Sequence, residues 1–222
     1  MLHAGMPRMD WLVENRSNAG LKQMLKLKYA EIIGISADKR WYLYLPTWRN
    51  CDASAFSFTK TVHKDRLEGL LLKQDALIVE KQHPKVLGKM AWELNGENGF
   101  VKVVSAAKSV LIDVQELLLC SDRLITDYSS CFFDFEVLGR PVIHYAYDLD
   151  RYEQRDAGVL YDLRKIAAGP VVATEDELIR ALDCTDEGLL ASRGPSADEP
   201  IEYEKGESAS TIVDRLLLTK RR

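Results

Sequence analysis

The sequence lacks the features that define several large classes of protein. No apolar run reaches the roughly 18 residues that a membrane span needs, and the start of the chain does not show the basic-then-apolar order of a signal peptide. Cysteine is scarce, and Cys51, Cys120, Cys131 and Cys184 form no CxxC or CxxH pair, which favours reduced thiols over a disulfide or zinc framework. We therefore expect a cytoplasmic protein whose membrane contact, if it has any, is peripheral and at the inner face.

An excess of basic residues is also missing. The chain has 30 Lys and Arg against 34 Asp and Glu, a formal net charge of -4, so no overall positive field attracts nucleic acid. Neither the P-loop pattern GxxxxGK nor the dinucleotide pattern GxGxxG occurs. The acidic pairs lie in a predicted loop and a predicted capping turn, which does not support a glycosidase dyad. We expect no nucleic-acid partner, no metal and no cofactor.

The chain does contain enough apolar material for one substantial core, since 46% of its 222 residues are hydrophobic. Short apolar runs alternate with helical patterns. The predicted strands are 41–45, 76–79, 101–104, 123–126, 141–145 and 171–173, and the predicted helices include 64–73, 114–120, 130–138, 175–182 and 210–218. Continuous apolar strands separated by helices are typical of a parallel sheet buried on both faces. The fold class is therefore predicted as α/β, with a Rossmann-like, doubly wound parallel sheet.

The chain is predicted to divide at residue 36. Residues 1–36 hold a turn-rich lead-in and an amphipathic helix that ends at Gly34, and residues 37–222 form the Rossmann-like domain. Lys22 and Lys26 lie on the polar face of this helix, and we favour packing against its own domain over contact with anionic lipid. A polar stretch at about 185–208 is predicted to form a surface loop.

Polar residues follow three of the predicted strands. Thr47 and Arg49 come after the first strand, His83 comes just after the second, and the run Thr-Asp-Tyr-Ser-Ser at 126–130 ends the fourth. In a doubly wound sheet the ligand site lies at the carboxyl ends of the strands. A guanidinium suits phosphate oxygens, and a histidine fixed before Pro84 can donate to a phosphate or protonate a leaving oxygen.

The serines at the end of the fourth strand precede a predicted helix. Ser129 and Ser130 would supply hydroxyls and unpaired backbone N–H groups to an anion such as a diphosphate. Asp134, one turn further on, would accept hydrogen bonds from hydroxyls attached to that anion. Each residue also has a purely structural interpretation, as a helix cap, a solvated carboxylate, a surface arginine or a structural histidine. Three phosphate-friendly segments at one sheet edge favour the anion site.

These residues resemble the CDP-glycerol:poly(glycerophosphate) glycerophosphotransferase family of bacterial teichoic acid and capsule synthesis. The most specific match is the run T-D-Y-S-S-x-x-F-D-F at 126–135. The other matching segments are 5–10 (Gly-Met-Pro-Arg-Met-Asp), 43–49, 83–84, 121–125, 140–143, 147–152 and 206–210. The similarity runs in order along nearly the whole chain.

The resemblance implies the second half of a GT-B fold, the half that binds the CDP-activated donor. Residues 1–36 would then be the connection between the halves. The first half, which supplies the acceptor face and a histidine proposed as general base, has no counterpart in this sequence. Three explanations stay open: that half was lost from the chain, has degenerated, or is encoded separately, in which case a separate N-terminal half is a partner. The other implied partners are CDP-glycerol or a related CDP-polyol, and a polyol-phosphate or polysaccharide acceptor.

The implied reaction is transfer of glycerol phosphate to the acceptor with release of CMP. The implied catalytic residues are His83 and Arg49, and the implied substrate-binding residues are Thr47, Asp127, Ser129, Ser130 and Asp134. The serines would hold the diphosphate, Arg49 and Thr47 would neutralise developing charge, His83 would steady or protonate the departing phosphate, and Asp134 would bind a donor hydroxyl. Two alternatives stay open: a non-catalytic nucleotide-binding module that docks a partner, and a transferase of ribitol phosphate or another polyol phosphate.

Overall fold

A six-stranded parallel sheet forms the centre of the fold. The computed structural model describes residues 3–47, 58–82, 99–155 and 161–219. The strands are β1 (Arg40–Leu45), β2 (Ala76–Glu80), β3 (Val101–Val103), β4 (Arg123–Thr126), β5 (Val142–Tyr145) and β6 (Val171–Val172). Their order is β3-β2-β1-β4-β5-β6, and every neighbouring pair is parallel. The predicted doubly wound α/β fold is therefore confirmed.

Helices connect these strands and extend the fold at both ends. They are α1 (Pro7–Asn15), α2 (Ala19–Ile33), α3 (Phe58–Thr61), α4 (Lys64–Lys73), α5 (Ala106–Ser109), α6 (Val114–Cys120), α7 (Cys131–Glu136), α8 (Leu149–Arg155), α9 (Leu163–Ile166), α10 (Glu175–Asp183), α11 (Asp186–Leu190) and α12 (Ser208–Thr219), with a 3-10 turn at Glu199–Ile201. None of the helices in the described ranges has both the length and the apolar character that crossing a membrane requires.

Each face of the sheet packs against its own layer of helices. In β1, Trp41 and Leu43 point into one core and Tyr42 and Tyr44 into the other, and all four are 0% exposed. The first core includes side chains of α1, α2, α6 and α7, and the second includes side chains of α4, α10 and α11. Because right-handed crossovers that move in opposite directions cover opposite faces, α4 and α6 lie on different sides.

The predicted turn-rich lead-in is wrong, because Pro7–Asn15 forms helix α1. Pro7 lies in the first turn of α1, where its missing N–H is not needed and its fixed φ suits the helix. Met9 and Leu12 are buried and join the first core. The polar residues that suggested turns mark the short link to α2, and Asn18 caps α2 with its side chain.

The predicted surface loop at residues 185–208 is also wrong in part, since it contains α11 and the 3-10 turn. Thr185 caps α11 with its side chain. Arg123 of β4, which is 2% exposed, holds this region: its Nε donates to Asp186 at 2.7 Å, and its other two nitrogens donate to backbone carbonyls at the end of α10 at 2.8 Å. Packing against this buried arginine explains why a polar stretch is ordered.

The basic helix α2 packs on its own domain. It ends at Gly34 in the left-handed conformation, with φ +84°, as predicted. Lys22 donates to Asp122 at 2.7 Å, and Lys26 donates to the Lys39 carbonyl at 2.7 Å and to Asp122 at 3.4 Å. The favoured packing of this helix against its own domain is therefore confirmed, but Lys22 and Lys26 bind groups of that domain and are not solvated side chains.

The described cysteines are reduced. Cys120, Cys131 and Cys184 are free thiols, and Cys51 lies outside the described residues. Burial raises the pKa of both the Cys120 and the Cys131 thiol to about 12. These two thiols are therefore protonated and unreactive at neutral pH, and the prediction of free thiols is confirmed for the three described cysteines.

Candidate functional site

The strand order places a crevice between β1 and β4. The chain leaves β1 towards β2 and β3 and leaves β4 towards β5 and β6. Such a reversal is a topological switch point, and ligands of doubly wound folds bind there, outside the carboxyl ends of the strands. Leu45 and Thr126 pair at the carboxyl ends of β1 and β4. Thr47 and the segment that starts at Asp127 therefore border the crevice.

Asp127 ties the two sides of this crevice together. Thr47 donates its backbone N–H to the Asp127 carboxylate at 2.9 Å and its hydroxyl at 2.5 Å. The Ser129 N–H donates to the same carboxylate at 3.0 Å. Asp127 is 0% exposed. The structure thus brings three of the predicted site residues into direct contact, with the carboxylate ordering both the end of β1 and the turn after β4.

Ser130 stands at the open side of the same turn. It is exposed, and its side chain makes no capping hydrogen bond. Within the described residues, the backbone N–H groups of Ser130 and Cys131 donate to no protein acceptor. Because α7 has only six residues, these free donors, more than an extended helix dipole, would attract an anion.

His144 supports this turn from inside the sheet. Its Nδ1 lies 2.8 Å from the Asp127 carbonyl oxygen, and its Nε2 accepts the Ala168 N–H at 3.2 Å. These partners fix the neutral tautomer with the proton on Nδ1. Burial lowers the pKa of His144 to about 4, so the ring stays neutral at physiological pH. His144 is 0% exposed, and its hold on Asp127 gives this buried residue a positioning role.

Three tyrosines and an aspartate pack behind the serine segment. The Tyr128 hydroxyl donates to Asp148 at 2.9 Å, and the Tyr128 ring lies 4.1 Å from that of Tyr152. The Tyr161 hydroxyl donates to the Tyr128 carbonyl at 3.3 Å. The backbone before Ser129 is therefore held from two sides, which keeps the exposed donors in place.

Asp134 lies apart from this group. The Arg8 Nε donates to its two oxygens at 3.0 and 3.2 Å, and the Gln115 side chain donates to it at 2.9 Å. Asp134 is 6% exposed. Among the described residues no hydrogen bond joins it to Thr47, Asp127 or the serines, so the predicted contact with a donor hydroxyl stays a prediction.

The segment 5–10 acts as a clamp between the two ends of the chain. Arg8 reaches Asp134, and the Asp10 carboxylate accepts the N–H groups of Ser208 and Ala209 at 2.9 and 2.8 Å, which caps α12. Gly5 has φ +69°, and a Cβ there would lie 2.6 Å from the hydroxyl oxygen of Ser208. Gly5, Arg8 and Asp10 of this segment therefore each contribute to the structure.

A second set of buried polar residues follows β2. Glu80 is 0% exposed and accepts the Phe58 N–H at 2.9 Å and the side-chain amide of Gln82. Lys81 is 5% exposed, and its ammonium donates to the Ser109 hydroxyl at 2.7 Å. In the sequence the polar run 81–84 is visible after the second strand, but only His83 was given a role. The signal that could have revealed the others is the run of charged and polar residues directly after an apolar strand.

The two predicted catalytic residues cannot be placed in this geometry. Arg49 and His83 lie outside the described residues, and their roles stay predictions. Both follow strands whose carboxyl ends border or neighbour the crevice, because β2 pairs with β1.

The fold and the crevice together define a doubly wound α/β domain with its candidate site at the switch point. A family model described as CDP-Glycerol:Poly(glycerophosphate) glycerophosphotransferase matches residues 1–218. The chain belongs to this family, and the resemblance drawn from its motifs is confirmed.

Relatives of known name agree with this assignment. The teichoic acid poly(glycerol phosphate) polymerase of Bacillus spizizenii is 32% identical over 97% of this chain and 53% of its own length. The teichoic acid glycerol-phosphate transferase of Staphylococcus aureus is 35% identical over 84% of this chain and 46% of its own length. The solved structure of the wall teichoic acid polymerase TagF superimposes with a TM-score of 0.72 at 27% identity, over 97% of this chain and 51% of that one. The chain thus spans about half the length of these relatives.

Proposed function

We propose that this chain binds CDP-glycerol, or a related CDP-polyol, and forms the donor side of a glycerophosphotransferase. The observation that carries the proposal is the crevice itself: Thr47, Asp127 and Ser129 are linked there, beside backbone N–H groups of Ser130 and Cys131 that have no acceptor in the described residues. Backbone N–H groups and hydroxyls at such a position suit a diphosphate. Membership of the glycerophosphotransferase family supplies the chemical identity of the ligand.

In the proposed step one phosphorus–oxygen bond forms and one breaks. An oxygen of the acceptor hydroxyl attacks the phosphorus that bears glycerol, the bond from that phosphorus to the bridging oxygen breaks, and CMP leaves with the bridging oxygen. The acceptor loses its proton to a base, and the CMP phosphate carries the new charge or takes up a proton. Such a reaction depends on positioning and on charge stabilisation more than on covalent catalysis.

The site residues divide this work. Ser130 and the free backbone donors beside it would hold the diphosphate. Thr47 and Arg49 would neutralise charge on the transferring phosphate, and His83 would steady or protonate the departing CMP. Asp127, which already accepts three protein donors, would act by keeping Thr47 and Ser129 in place.

The remaining partners follow from the half-length match. We propose that a separate N-terminal half supplies the acceptor side and the general base, with a polyol-phosphate or polysaccharide acceptor. Residues 1–36 would connect the halves, and the clamp at segment 5–10 would fix that connection to the donor domain. We place the protein in the cytoplasm, in peripheral contact with the inner face of the membrane.

The proposal is tested by calorimetric titration of the chain with CDP-glycerol, CDP-ribitol and a UDP-sugar. We expect binding of the CDP-polyols and none of the UDP-sugar, and a preference for CDP-ribitol would favour the ribitol-phosphate alternative. The proposal would be overturned if the chain bound neither CDP-glycerol nor CDP-ribitol. Release of CMP from CDP-glycerol by this chain would exclude the inert nucleotide-binding module.

A further inference from the structure

Lys81 is a buried cation whose counter-charge is missing from the described residues. It is the first residue after β2 and is 5% exposed. Its ammonium donates to the Ser109 hydroxyl at 2.7 Å. No carboxylate in the described part of the chain lies within ion-pair distance of it, and Asp113 acts on it only at longer range. Burial lowers the pKa of Lys81, which is the expected effect of lost hydration on an ammonium without an ionic partner.

The other deeply buried lysine shows how this protein compensates such a charge elsewhere. Lys26 is 8% exposed. It lies 3.4 Å from the Asp122 carboxylate, donates to the Lys39 carbonyl at 2.7 Å and sits 5.3 Å from the centre of the Trp41 ring. A buried charge is costly unless it is paired, so the ammonium of Lys81 would stabilise a ligand anion placed close to it.

Lys81 follows β2, which lies one strand away from the crevice between β1 and β4. The Lys81 N–H donates to the Tyr44 carbonyl of β1 at 3.1 Å, and β1 lies between β2 and β4. Two strand spacings, about 10 Å, therefore separate the Lys81 backbone from that of Asp127. The side chain reaches Ser109 of α5, which belongs to the connection that continues into α6 on the face of the sheet that also carries α7. Lys81 and the serine segment thus both lie at the carboxyl ends of the strands, and the helices that they contact or begin pack on the same face of the sheet.

We infer that Lys81 supplies the counter-charge for the diphosphate of the CDP-polyol donor. This inference rests on the proposed function and adds a residue to the same site. The Ser109 hydroxyl fixes the direction of the side chain, and the diphosphate provides the negative charge that the described protein groups do not. Lys81 is therefore a binding residue that acts through its charge.

The test compares two ligands that differ in their phosphates. Lys81→Met and Lys81→Gln are titrated calorimetrically with CDP and with cytidine, beside the unaltered chain. We expect the affinity for CDP to fall roughly tenfold or more, as for a lost charge-assisted contact, while the affinity for cytidine stays the same. Lys81→Arg, which keeps the positive charge, should retain most of the CDP affinity.

Lys26→Met is the matched control, because it removes an equally buried lysine from the opposite edge. It should lower the melting temperature and leave CDP affinity unchanged. If Lys81→Met does not fold, Lys81→Gln, whose amide can still donate to Ser109, decides the question. If folded Lys81→Met or Lys81→Gln bound CDP as tightly as the unaltered chain does, this inference would be overturned and the proposed function would stand. Failure of the unaltered chain to bind CDP would overturn the proposed function, and this inference with it.

Discussion

The sheet has an amino edge, where its strands begin, and a carboxyl edge, where they end, and charged groups are paired differently at the two. At the amino edge, Lys22 and Lys26 pair with Asp122, and Arg40 and Arg123 share Asp186. At the carboxyl edge, Ser130 is exposed with free backbone donors beside it, and Lys81 has no described counter-ion. The difference teaches that charges at the amino edge are paired within the fold, whereas polar groups at the carboxyl edge are left for the ligand of the proposed site.

The largest effect is expected at the amino edge, for Arg123→Ala. The change leaves two backbone carbonyls without their donor and leaves Asp186 with Arg40 alone. It also removes a guanidinium that lies 4.9 Å from the centre of the Tyr42 ring. Breaking a buried ionic network costs about 3 kcal/mol or more. We expect a loss of that size in the free energy of unfolding, measured with urea at pH 7.

The control for this prediction is Arg16→Ala, since Arg16 is exposed and its side chain makes no hydrogen bond or ion pair within the described residues. Its effect should stay within about 0.5 kcal/mol. If the CDP affinity of folded Arg123→Ala fell as strongly as its stability, the separation between the two edges would be lost.

The next effect is a dependence of stability on pH that arises from His144. Its pKa is lowered from 6.5 to about 4 in the folded protein, so folding favours the neutral ring. The stability contributed by His144 is fully present above pH 6.5 and is lost as the pH falls from 6.5 towards 4. The full loss is on the order of 3 kcal/mol. Urea unfolding between pH 4.5 and 7 measures this slope.

His144→Asn removes the titration while keeping an N–H donor close to the position of Nδ1. The difference between the stability curves of the unaltered chain and of His144→Asn isolates the histidine, because Glu136 contributes to both curves. This control is needed since Glu136 changes the stability in the opposite direction. Burial raises the pKa of Glu136 to about 6, so its ionisation lowers stability as the pH rises from 4.5 through 6. Parallel curves for the unaltered chain and His144→Asn would contradict the prediction.

At the carboxyl edge we expect loss of affinity with little loss of stability. Ser130→Ala removes an exposed hydroxyl that makes no capping bond, so its melting temperature should stay close to that of the unaltered chain. Loss of one hydrogen bond of about 1 kcal/mol should weaken CDP-glycerol binding roughly fivefold. His83→Ala should also weaken it. Exposed Ser17 provides the control variant Ser17→Ala, and unchanged affinity in both site variants would remove the assignment.

The sequence was sufficient where a segment's structure depends on its own apolar residues. All six strands were predicted to within one residue at each end, because each is a continuous apolar run that must be buried on both faces. Helix α1 was missed because its start, Pro7, also suits a turn, and its burial of Met9 depends on the core formed by distant segments. A one-dimensional pattern does not contain that core.

The site shows the same limit. The position of the serine segment, between the end of β4 and the start of α7, was predicted correctly because the apolar strand and the serines are visible in the sequence. The contact between Arg8 and Asp134 joins residues 126 positions apart, and no spacing rule predicts it. Lys81 was visible as a charged residue after β2, but its burial and its lack of a described counter-ion emerge only from the packed structure.

The smallest expected effect comes from Asp134, which lies between the two kinds of region. Its ion pair with Arg8 joins side chains that are 9% and 50% exposed, so Arg8→Ala and Asp134→Asn should each lower stability by only about 0.5–1 kcal/mol. The two variants differ in what they do to a ligand, because only Asp134→Asn removes a carboxylate that can accept a donor hydroxyl. Weaker CDP-glycerol binding in Asp134→Asn, with unchanged binding in Arg8→Ala, would assign Asp134 to the donor site. If both variants bind CDP-glycerol as tightly as the unaltered chain does, Asp134 belongs to the clamp alone, because a residue that only holds segment 5–10 makes no contact with the ligand.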